Sequence, residues 1–380
     1  MKKKGFLLTL SALFLFIGLV LSGSQKVEII HNSADPLLGE ITLELEQDLV
    51  LGSETDDNFL FYRIWDVKAD EQGNIYVLDS GATRIQKYDK NGKFLQTIGR
   101  KGQGPGEFER PISLSFDKNK NLYVSEMVKI HMFDPKGKFV RGIKVPFFYM
   151  DFAADGEGHY VVTGRITIEG AQNLGVLILD PEGKTDKKIA EFPGMPVHES
   201  GMTISHDYTP EIRFSSITDK GFVYGYNREY KLYIADWSGK SVLIIEKEVP
   251  SKTISSKEKN KIIDYIIKNA AEAGLGWSKS VVEKMANLPK HRPIFDRIKV
   301  DDEGRIYVRN RKSVLDEGTD MIFDIFGNDG YFLYTTKLPF VPMCIRDGRL
   351  YHVVYEEEIG ETKVIRYRIK NWDFLASSRN

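Results

Sequence analysis

The sequence contains a single cysteine, Cys344, among 380 residues. One cysteine excludes a disulfide within the chain, whatever the redox compartment. Cys344 lies in a short apolar run, 340–345. We therefore expect its thiol to be a buried, small hydrophobic group rather than a reactive one.

An excess of positive charge is also missing, because 53 lysines and arginines stand against 54 aspartates and glutamates. Proteins that bind nucleic acid without sequence specificity concentrate a basic excess on one surface. The composition therefore argues against a nucleic-acid partner.

The common catalytic motifs are absent as well. The sequence has neither the Gly-x-Ser-x-Gly motif of serine hydrolases nor the His-Glu-x-x-His motif of zinc proteases. The glycine-rich segment 102–106 lacks the Lys-Ser/Thr pair of a phosphate-binding loop. No assembled catalytic signature or cofactor motif can be read from the chain.

One long apolar run is present, at 5–21. It follows three lysines and precedes the small residues 22–24, which is the pattern of an export signal. Cleavage after residue 24 leaves 50 bases against 54 acids, a net charge of −4. We predict a periplasmic or extracellular protein with no stable membrane span after cleavage. The alternative is an uncleaved membrane anchor, since about 17 apolar residues is near the minimum that crosses a bilayer.

Two turn signatures alternate along the rest of the sequence. The first is an Asp-x-x-Gly-like turn before a short strand-like run. Its six copies begin at Asp70, Asp117, Asp155, Asp219, Asp301 and Arg346. The second ends in glycine, and its five copies are 89–92, 134–137, 180–183, 236–239 and 327–330. Both suit tight turns, because Asx side chains bond their own backbone and glycine accepts positive φ.

These turns divide each repeat into four antiparallel strands, a to d. Four-stranded units repeated at intervals of about 40 to 80 residues predict a β-propeller. We predict one all-β domain, 25–380, a six-bladed β-propeller of four-stranded antiparallel blades. Its blades are predicted at about 62–99, 111–145, 148–193, 214–250, 294–339 and 341–370. The last unit shows only three strands, and an alternating segment at 40–50 is predicted to complete it and close the ring.

The first repeats also resemble a known family. Three successive segments resemble the NHL repeat of bacterial six-bladed propellers. They are Asp70-x-x-Gly73-x-Ile75-Tyr76-Val77-x-Asp79, then Arg84-Ile85-x-x-Tyr88-Asp89, then Gly102-x-Gly104-Pro105-Gly106-Glu107-Phe108-x-x-Pro111. The resemblance extends over 66–145 and 292–309 and is weaker in the third and fourth blades. It implies the fold, and it implies no single function, because the members include binding scaffolds and lyases.

The long connections are predicted to lie on one face of the ring. The a–b and c–d turns share one face and are short. The b–c and d–a connections share the other, and the long ones are 99–111, 164–173, 194–213, 250–293 and 311–318. Loops on a rigid scaffold usually carry function, so this looped face is predicted to carry the site.

Two groups of polar residues are predicted to meet on the looped face. The first ends strand b and is expected to ring the channel mouth: Asp79, Glu126, Asn227 and Asn310, with Arg165 and Arg228 in adjoining loops. The second lies in d–a connections and the strand that follows: His198, His206, Tyr208 and Arg213 before blade four, and His291, Arg292 and Arg297 before and within strand a of blade five. Such residues could bind a carboxylate, an acidic sugar or a divalent metal. The alternative is that they are solvated or hold the loops in place.

The segment 251–290, between blades four and five, is predicted to be helical. Ile262, Ile263 and Ile266 recur at helical spacing after two serines, and a second short helix is expected with Ser280 as its cap. This helical pair is predicted to cover part of the looped face.

The function predicted from these features is recognition without catalysis. The looped face is expected to bind a protein, a peptide or a glycan. The first alternative is a lyase or hydrolase with a metal or His/Arg site on the same face, and the second is an architectural part of an envelope assembly. No cofactor is predicted, and the protein is expected to be a monomer.

Overall fold

The computed structural model describes residues 27–53, 55–168, 171–194, 204–217, 220–356 and 361–376. Two strands precede the first blade, β1 (Glu28–Asn32) and β2 (Leu45–Leu51). Six sheets then follow one another around a ring, and inner strands of successive blades contact one another from the first blade to the sixth and back to the first. The predicted six-bladed β-propeller is confirmed.

Each blade has four antiparallel strands, which run in chain order from the channel outwards in blades one to five. Blades one and two consist of β3 (Ile64–Ala69), β4 (Ile75–Asp79), β5 (Arg84–Tyr88) and β6 (Phe94–Ile98), then β7 (Ser113–Phe116), β8 (Leu122–Glu126), β9 (Lys129–Phe133) and β10 (Phe139–Lys144). Blades three and four consist of β11 (Tyr149–Ala154), β12 (Tyr160–Ile168), β13 (Ala171–Leu179) and β14 (Thr185–Pro193), then β15 (Ile212–Ile217), β16 (Gly221–Tyr226), β17 (Lys231–Ala235) and β18 (Ser241–Lys247). Blades five and six consist of β19 (Phe295–Val300), β20 (Ile306–Asn310), β21 (Met321–Phe326) and β22 (Phe332–Leu338), then β23 (Cys344–Arg346), β24 (Arg349–Glu356) and β25 (Glu361–Ile369).

The ring is closed by the N-terminal strand β2, which pairs antiparallel with β25 as the outer strand of blade six. An ion pair between Asp48 Oδ1 and Arg366 Nε, 2.8 Å apart, joins the same two strands. Strand β1 was not foreseen. It adds a fifth, parallel strand to the outer edge of blade four, pairing with β18.

The aspartate turns form as their chemistry requires. Asp70 Oδ1 accepts hydrogen bonds from the backbone amides of Gln72 at 3.0 Å and Asn74 at 2.9 Å. Gly73 takes φ +79°, a conformation that side chains disfavour. A tyrosine of the strand that follows also bonds the turn: Tyr76 Oη donates to Asp70 Oδ2 at 3.2 Å.

The same tyrosine bond recurs in two other blades, from Tyr123 to Asp117 and from Tyr307 to Asp301, each at 3.0 Å. Side chains of neighbouring blades interdigitate between the sheets. Leu78 and Ile85 of blade one, for example, pack with Leu114 and Val124 of blade two in one buried cluster. The core is therefore a set of layers between blades, and the ring axis stays open.

The helical insertion between blades four and five is confirmed. Helix α1 (Ser256–Glu272) begins at the N-cap Ser255, and α2 (Lys279–Ala286) begins at Ser278. Ser280 therefore lies inside α2, and its prediction as the cap is wrong. Ser278 has the extended backbone that an N-cap needs, and its hydroxyl accepts from the Val281 amide at 3.4 Å.

A short helix, α3 (Trp372–Ala376), follows the last blade. No helix in the described ranges is long and apolar enough to cross a membrane. One predicted loop is wrong: 164–173 largely continues β12 and β13, which pair as far as Ile168 and Ala171. The described parts of the other long connections lie on the looped face, and the two helices lie in the longest of these connections.

Candidate functional site

A cavity of about 850 Å³ runs through the centre of the ring. The inner strands of all six blades, β3, β7, β11, β15, β19 and β23, contribute to its lining. Cavities of this size suit small-molecule ligands. The inner strands therefore decide what the channel can bind.

The charged side chains that these strands turn toward the cavity are mostly basic. Five are basic and two are acidic: Lys68, Arg213, Arg297, Lys299 and Arg346 against Asp66 and Asp151. Acids are more frequent at the a–b end of the cavity, where Asp70, Asp117 and Asp301 are held by the bonds of their own turns. The middle of the channel is therefore the region that favours an anion.

Arg297 carries the most available positive charge in this region. Its side chain is exposed to the channel, and it forms no hydrogen bond or ion pair with any residue that the structure describes. Enclosure by the protein, with Arg213 and Arg309 nearby, lowers the pKa of Arg297. Arg309 is itself paired with Asp296. A guanidinium flanked by two others is a site where an anion would relieve repulsion.

Arg213 lies on the neighbouring blade and is only partly satisfied. It forms an ion pair with Glu211, and its Nε atom has no hydrogen-bond partner among the described residues. Arg213 and Arg297 are the two predicted site residues that border the channel cavity, among those that the structure describes. The two arginines together could hold both oxygens of a carboxylate.

The two acids of the channel offset these bases only in part: Asp66 lies 4.0 Å from Lys68 Nζ, and Asp151 attracts Arg213 and Arg297. Asp66 accepts from the backbone amides of Val67 and Leu114, each at 2.9 Å, and so joins blades one and two. Asp151 accepts from Thr163 Oγ1 at 3.1 Å, and burial raises its pKa, against the effect of Arg213. Both carboxylates have structural partners of their own.

Deeper in the channel, Lys299, Cys344 and Lys68 occupy equivalent positions on blades five, six and one, each opposite a tyrosine of strand b. Burial, followed by repulsion from Lys68, lowers the pKa of Lys299 to about 8. Lys299 Nζ donates to the carbonyl of Met343 at 2.9 Å. Asp66, 4.0 Å from Lys68 Nζ, raises the pKa of Lys68.

Cys344 packs against the apolar cluster between blades six and one, but it is only half-buried and also borders the cavity, so its predicted burial is confirmed in part. The sixth inner strand is short, and residue 344 takes the channel-facing position that lysines occupy on either side. Burial raises the pKa of its thiol.

The opposite wall of the mouth is apolar. The register of β3 and of β11 shifts near its start, and the displaced residues are Trp65 and Met150. Their side chains are 45% and 43% exposed, and both line the cavity. Ile112 lines it on the blade between them. In blade five the equivalent shift falls at Asp296, which is buried and paired with Arg309 and Arg311.

The polar side chains at the ends of the b strands, which were predicted to surround the channel mouth, instead form hydrogen bonds to the protein backbone. Asp79 accepts from the amides of Tyr62 and Arg63, at 3.2 and 3.0 Å. Glu126 accepts from the amides of Glu109 and Arg110, and Asn227 accepts from Glu211 at 3.0 Å and donates to Thr209. Each holds the chain that enters its own blade. These three residues do not border the cavity, and Asn310 donates to Asp324 at 2.9 Å.

The second predicted group lies mainly under the helical cap, around the buried Glu258. Tyr208 Oη and Ser313 Oγ each donate to Glu258 Oε1 at 2.7 Å, and Arg292 Nη2 lies 3.0 Å from the same oxygen. The amide and hydroxyl of Ser255 donate to Oε2, both at 2.9 Å. Burial alone would raise the pKa of Glu258, but these hydrogen bonds outweigh it and lower the pKa to about 2.

The predicted histidines and remaining arginines are separate from the channel lining. His206 Nε2 bonds the carbonyl of Ala286 at 2.8 Å, and burial lowers its pKa. His291 is half-buried, and its backbone bridges to Thr253. Arg165 is exposed, and Arg228 borders a recess beside α2. His198 lies outside the described residues.

No group of three or more His, Cys, Asp or Glu side chains in the described ranges could hold a metal ion. Among the predicted residues of the second group, Tyr208 and Arg292 meet at Glu258, while Arg213 and Arg297 border the channel. The looped face thus contains two different charged clusters.

Comparison with known protein families shows to which family the chain belongs. A domain of unknown function, DUF4934, matches residues 54–374. The chain belongs to the DUF4934 family. A search of curated proteins finds no match for it. The resemblance to NHL repeats stays a prediction.

Solved structures resemble the DUF4934 protein in fold. A candidate exported protein from Bacteroides fragilis NCTC 9343 has a TM-score of 0.55 at 13% identity, and the alignment covers 90% of this chain and 99% of that one. A DUF4221 family member from Bacteroides vulgatus ATCC 8482 has a TM-score of 0.49 at 12% identity, with 86% and 98% covered. A virginiamycin B lyase from Staphylococcus aureus has a TM-score of 0.41 at 9% identity, with 85% and 99% covered. The first similarity supports the fold alone, and nothing about this protein is inferred from the two structures with lower TM-scores.

The channel residues of the DUF4934 chain were largely missed by sequence reasoning, apart from Arg213 and Arg297. The signal was a charge at alternate positions of the inner strand: Asp66 and Lys68 flank Val67, and Arg297 and Lys299 flank Ile298. Such alternation is also the pattern of an ordinary half-buried strand, so it marks a channel only once the ring is known.

Proposed function

We propose that this DUF4934 protein is a non-catalytic recognition propeller that binds an anionic ligand, of the carboxylate class, in its central channel. The observation that carries the proposal is Arg297, next to Arg213 in a cavity of about 850 Å³, whose guanidinium has no hydrogen-bond or ion-pair partner among the described residues. An anionic ligand would supply that partner.

The looped face gives access to this site. The mouth residues Trp65 and Met150 lie at the starts of inner strands, which is the end where the d–a connections enter. A carboxylate carried by a peptide terminus or an acidic sugar would have the required chemistry. The alternative His/Arg enzyme site is less favoured, because His206 and Arg292 are engaged with Ala286 and Glu258.

Export is part of the proposal. The segment 1–24 has the charge, the apolar run and the small residues of a signal, and a structural neighbour is a candidate exported protein. Expression of the full chain followed by cell fractionation and N-terminal sequencing tests this part. A mature protein that begins near residue 25 outside the cytoplasm supports it, and a full-length cytoplasmic protein contradicts it.

The binding proposal is tested by calorimetry with acetate, butyrate and succinate on the intact protein. Arg297→Gln removes one positive charge from the channel, and we expect at least about a tenfold loss of affinity. Lys138→Gln is the matched control, since Lys138 is exposed on a c–d turn of blade two. Equal affinity of the two variants, or no binding of any carboxylate by the wild type, would exclude the channel as an anion site.

A further inference from the structure

The channel mouth is chemically divided into two walls. Blades one to three present Trp65, Ile112 and Met150, and blades four and five present Arg213 and Arg297. A purely hydrophilic anion would use only the basic wall. The apolar wall needs a separate explanation.

The exposure of the apolar wall is produced by the backbone. Register shifts at Trp65 and Met150 displace these residues from the regular alternation, and the displaced side chains line the cavity. The bulges thus direct two large apolar side chains toward a polar channel. Bulges that redirect side chains are frequent beside binding sites.

The apolar surface continues outside the mouth. Tyr62, three residues before Trp65, is 64% exposed, and Phe148, two residues before Met150, is 63% exposed. Both lie in segments that enter inner strands, on the looped face. Large apolar side chains left in water next to a cavity are typical of a surface that a ligand covers.

The comparison with blade five shows that an apolar mouth is not required by the fold. There the residue at the equivalent shift is Asp296, which is buried and bonded to Arg309 and Arg311. The same backbone feature therefore carries an apolar side chain on one wall and a charged cluster on the other. The difference lies in the side chains and therefore in what the mouth can recognise.

We infer that the ligand is an amphipathic small molecule, a carboxylate joined to an apolar body, with the carboxylate at Arg213 and Arg297 and the apolar body against Trp65, Ile112 and Met150. This inference rests on the proposed anion site and deepens it. The charge of the cavity selects the head group, and the apolar wall selects the rest of the molecule. The size of the cavity limits the occupant to a small molecule.

The test compares butyrate with octanoate on the intact protein by calorimetry, and octylamine serves as the ligand of opposite charge. A fully buried methylene raises affinity about fourfold. Because the wall residues stay partly open, we expect octanoate to bind about tenfold or more tightly than butyrate, and octylamine to bind far more weakly than octanoate. Quenching or a shift of Trp65 fluorescence, identified by its loss in Trp65→Phe, should accompany octanoate binding.

Two variants separate the wall from the charge. Trp65→Gln combined with Met150→Gln should abolish the preference for octanoate over butyrate and leave butyrate affinity within about twofold. Leu95→Gln, which changes an equally exposed leucine on the outer strand of blade one, should keep the preference.

The outcomes distinguish the inference from the proposed function. Butyrate and octanoate binding equally well through Arg297 would overturn the apolar class and keep the anion site. No binding by any carboxylate would overturn both. Tight binding of octylamine would show that the apolar wall acts without the arginines and would also overturn the inference.

Discussion

The cap and the channel each contain buried or enclosed charges, and they treat those charges in opposite ways. Under the cap, Glu258 receives hydrogen bonds from Tyr208, Ser313 and Ser255 and an ion pair from Arg292. In the channel, Arg297 has no partner among the described residues and lies near other arginines. A satisfied cluster holds structure in place, whereas an unsatisfied one is available for a ligand.

This difference separates candidate residues that look alike in sequence. Tyr208, Arg292 and Arg213 all lie in or beside long connections of the looped face. Two of them fasten the cap, and the third borders the channel. Polarity on a loop therefore says less about binding than the number of partners each polar group already has.

The largest expected effect is on the cap. Glu258→Ala leaves Arg292 and the hydroxyls of Tyr208, Ser313 and Ser255 without their acceptor, and we expect a loss of about 3 to 5 kcal/mol in the free energy of unfolding of the cap region. Urea denaturation with hydrogen exchange on 251–290 measures it. Glu283→Ala, an exposed acid of α2, should change it by less than about 0.5 kcal/mol. Similar losses in both variants would contradict the central role of Glu258.

The dependence of the free energy of unfolding on pH, at acid pH, should also depend on Glu258. Glu258 titrates at about 2 in the folded protein and near 4.5 when unfolded. Its folded pKa is lower, so its stabilisation is present above pH 4.5 and is lost as the pH falls toward 2. The loss should reach about 3 kcal/mol. The difference between the wild type and Glu258→Gln, measured by urea denaturation from pH 6 to 2, should shrink over this interval, and a constant difference would exclude the assignment.

A smaller effect is expected in the channel when the pH is raised. Lys299 titrates at about 8, so it loses its positive charge as the pH rises from 7 to 9. Carboxylate affinity should fall several-fold over this range, by about 1 kcal/mol. In Lys299→Gln the affinity should be lower at pH 7 and almost independent of pH. A dependence that persists in this variant would assign the titration to another group.

The smallest expected change in stability is that of Arg297→Gln, and it tests the difference between the cap and the channel directly. Arg297→Gln removes an enclosed charge, yet it breaks no described hydrogen bond or ion pair. We expect the free energy of unfolding to stay within about 0.5 kcal/mol of the wild type or to rise slightly, because repulsion from Arg213 is relieved. A loss comparable to that of Glu258→Ala would mean that Arg297 is a structural residue.

Much of the fold could be predicted because its signals are local. Each aspartate turn bonds its own backbone, as at Asp70, and the capping serine of α1 precedes a glutamate that completes the capping box. Strand β1 was missed because its pairing with β18 joins residues about 215 apart, and a strand of five residues is too short to show a clear alternation in the sequence. The hairpin of β12 and β13 was taken for a loop because its polar residues resemble a connection.

The site was harder to predict because it depends on ring closure. Whether Lys68 and Lys299 face bulk water or a shared channel is decided by the position of all six blades. The strand-b ends were correctly recognised as unusual, but Asp79 and Glu126 bond backbone amides of the entering chain. Sequence alone shows where polar groups occur and cannot show which partners they find.

The pairing of β2 with β25 has a consequence for how the protein is made. Asp48 and Arg366, which join these strands, are 318 residues apart in the chain. The first strand must wait for nearly the whole polypeptide to be synthesised before it finds its partner, so the ring is completed as a late event. Until the two ends of the chain meet, blade six has only three strands and the edge of β25 stays unpaired.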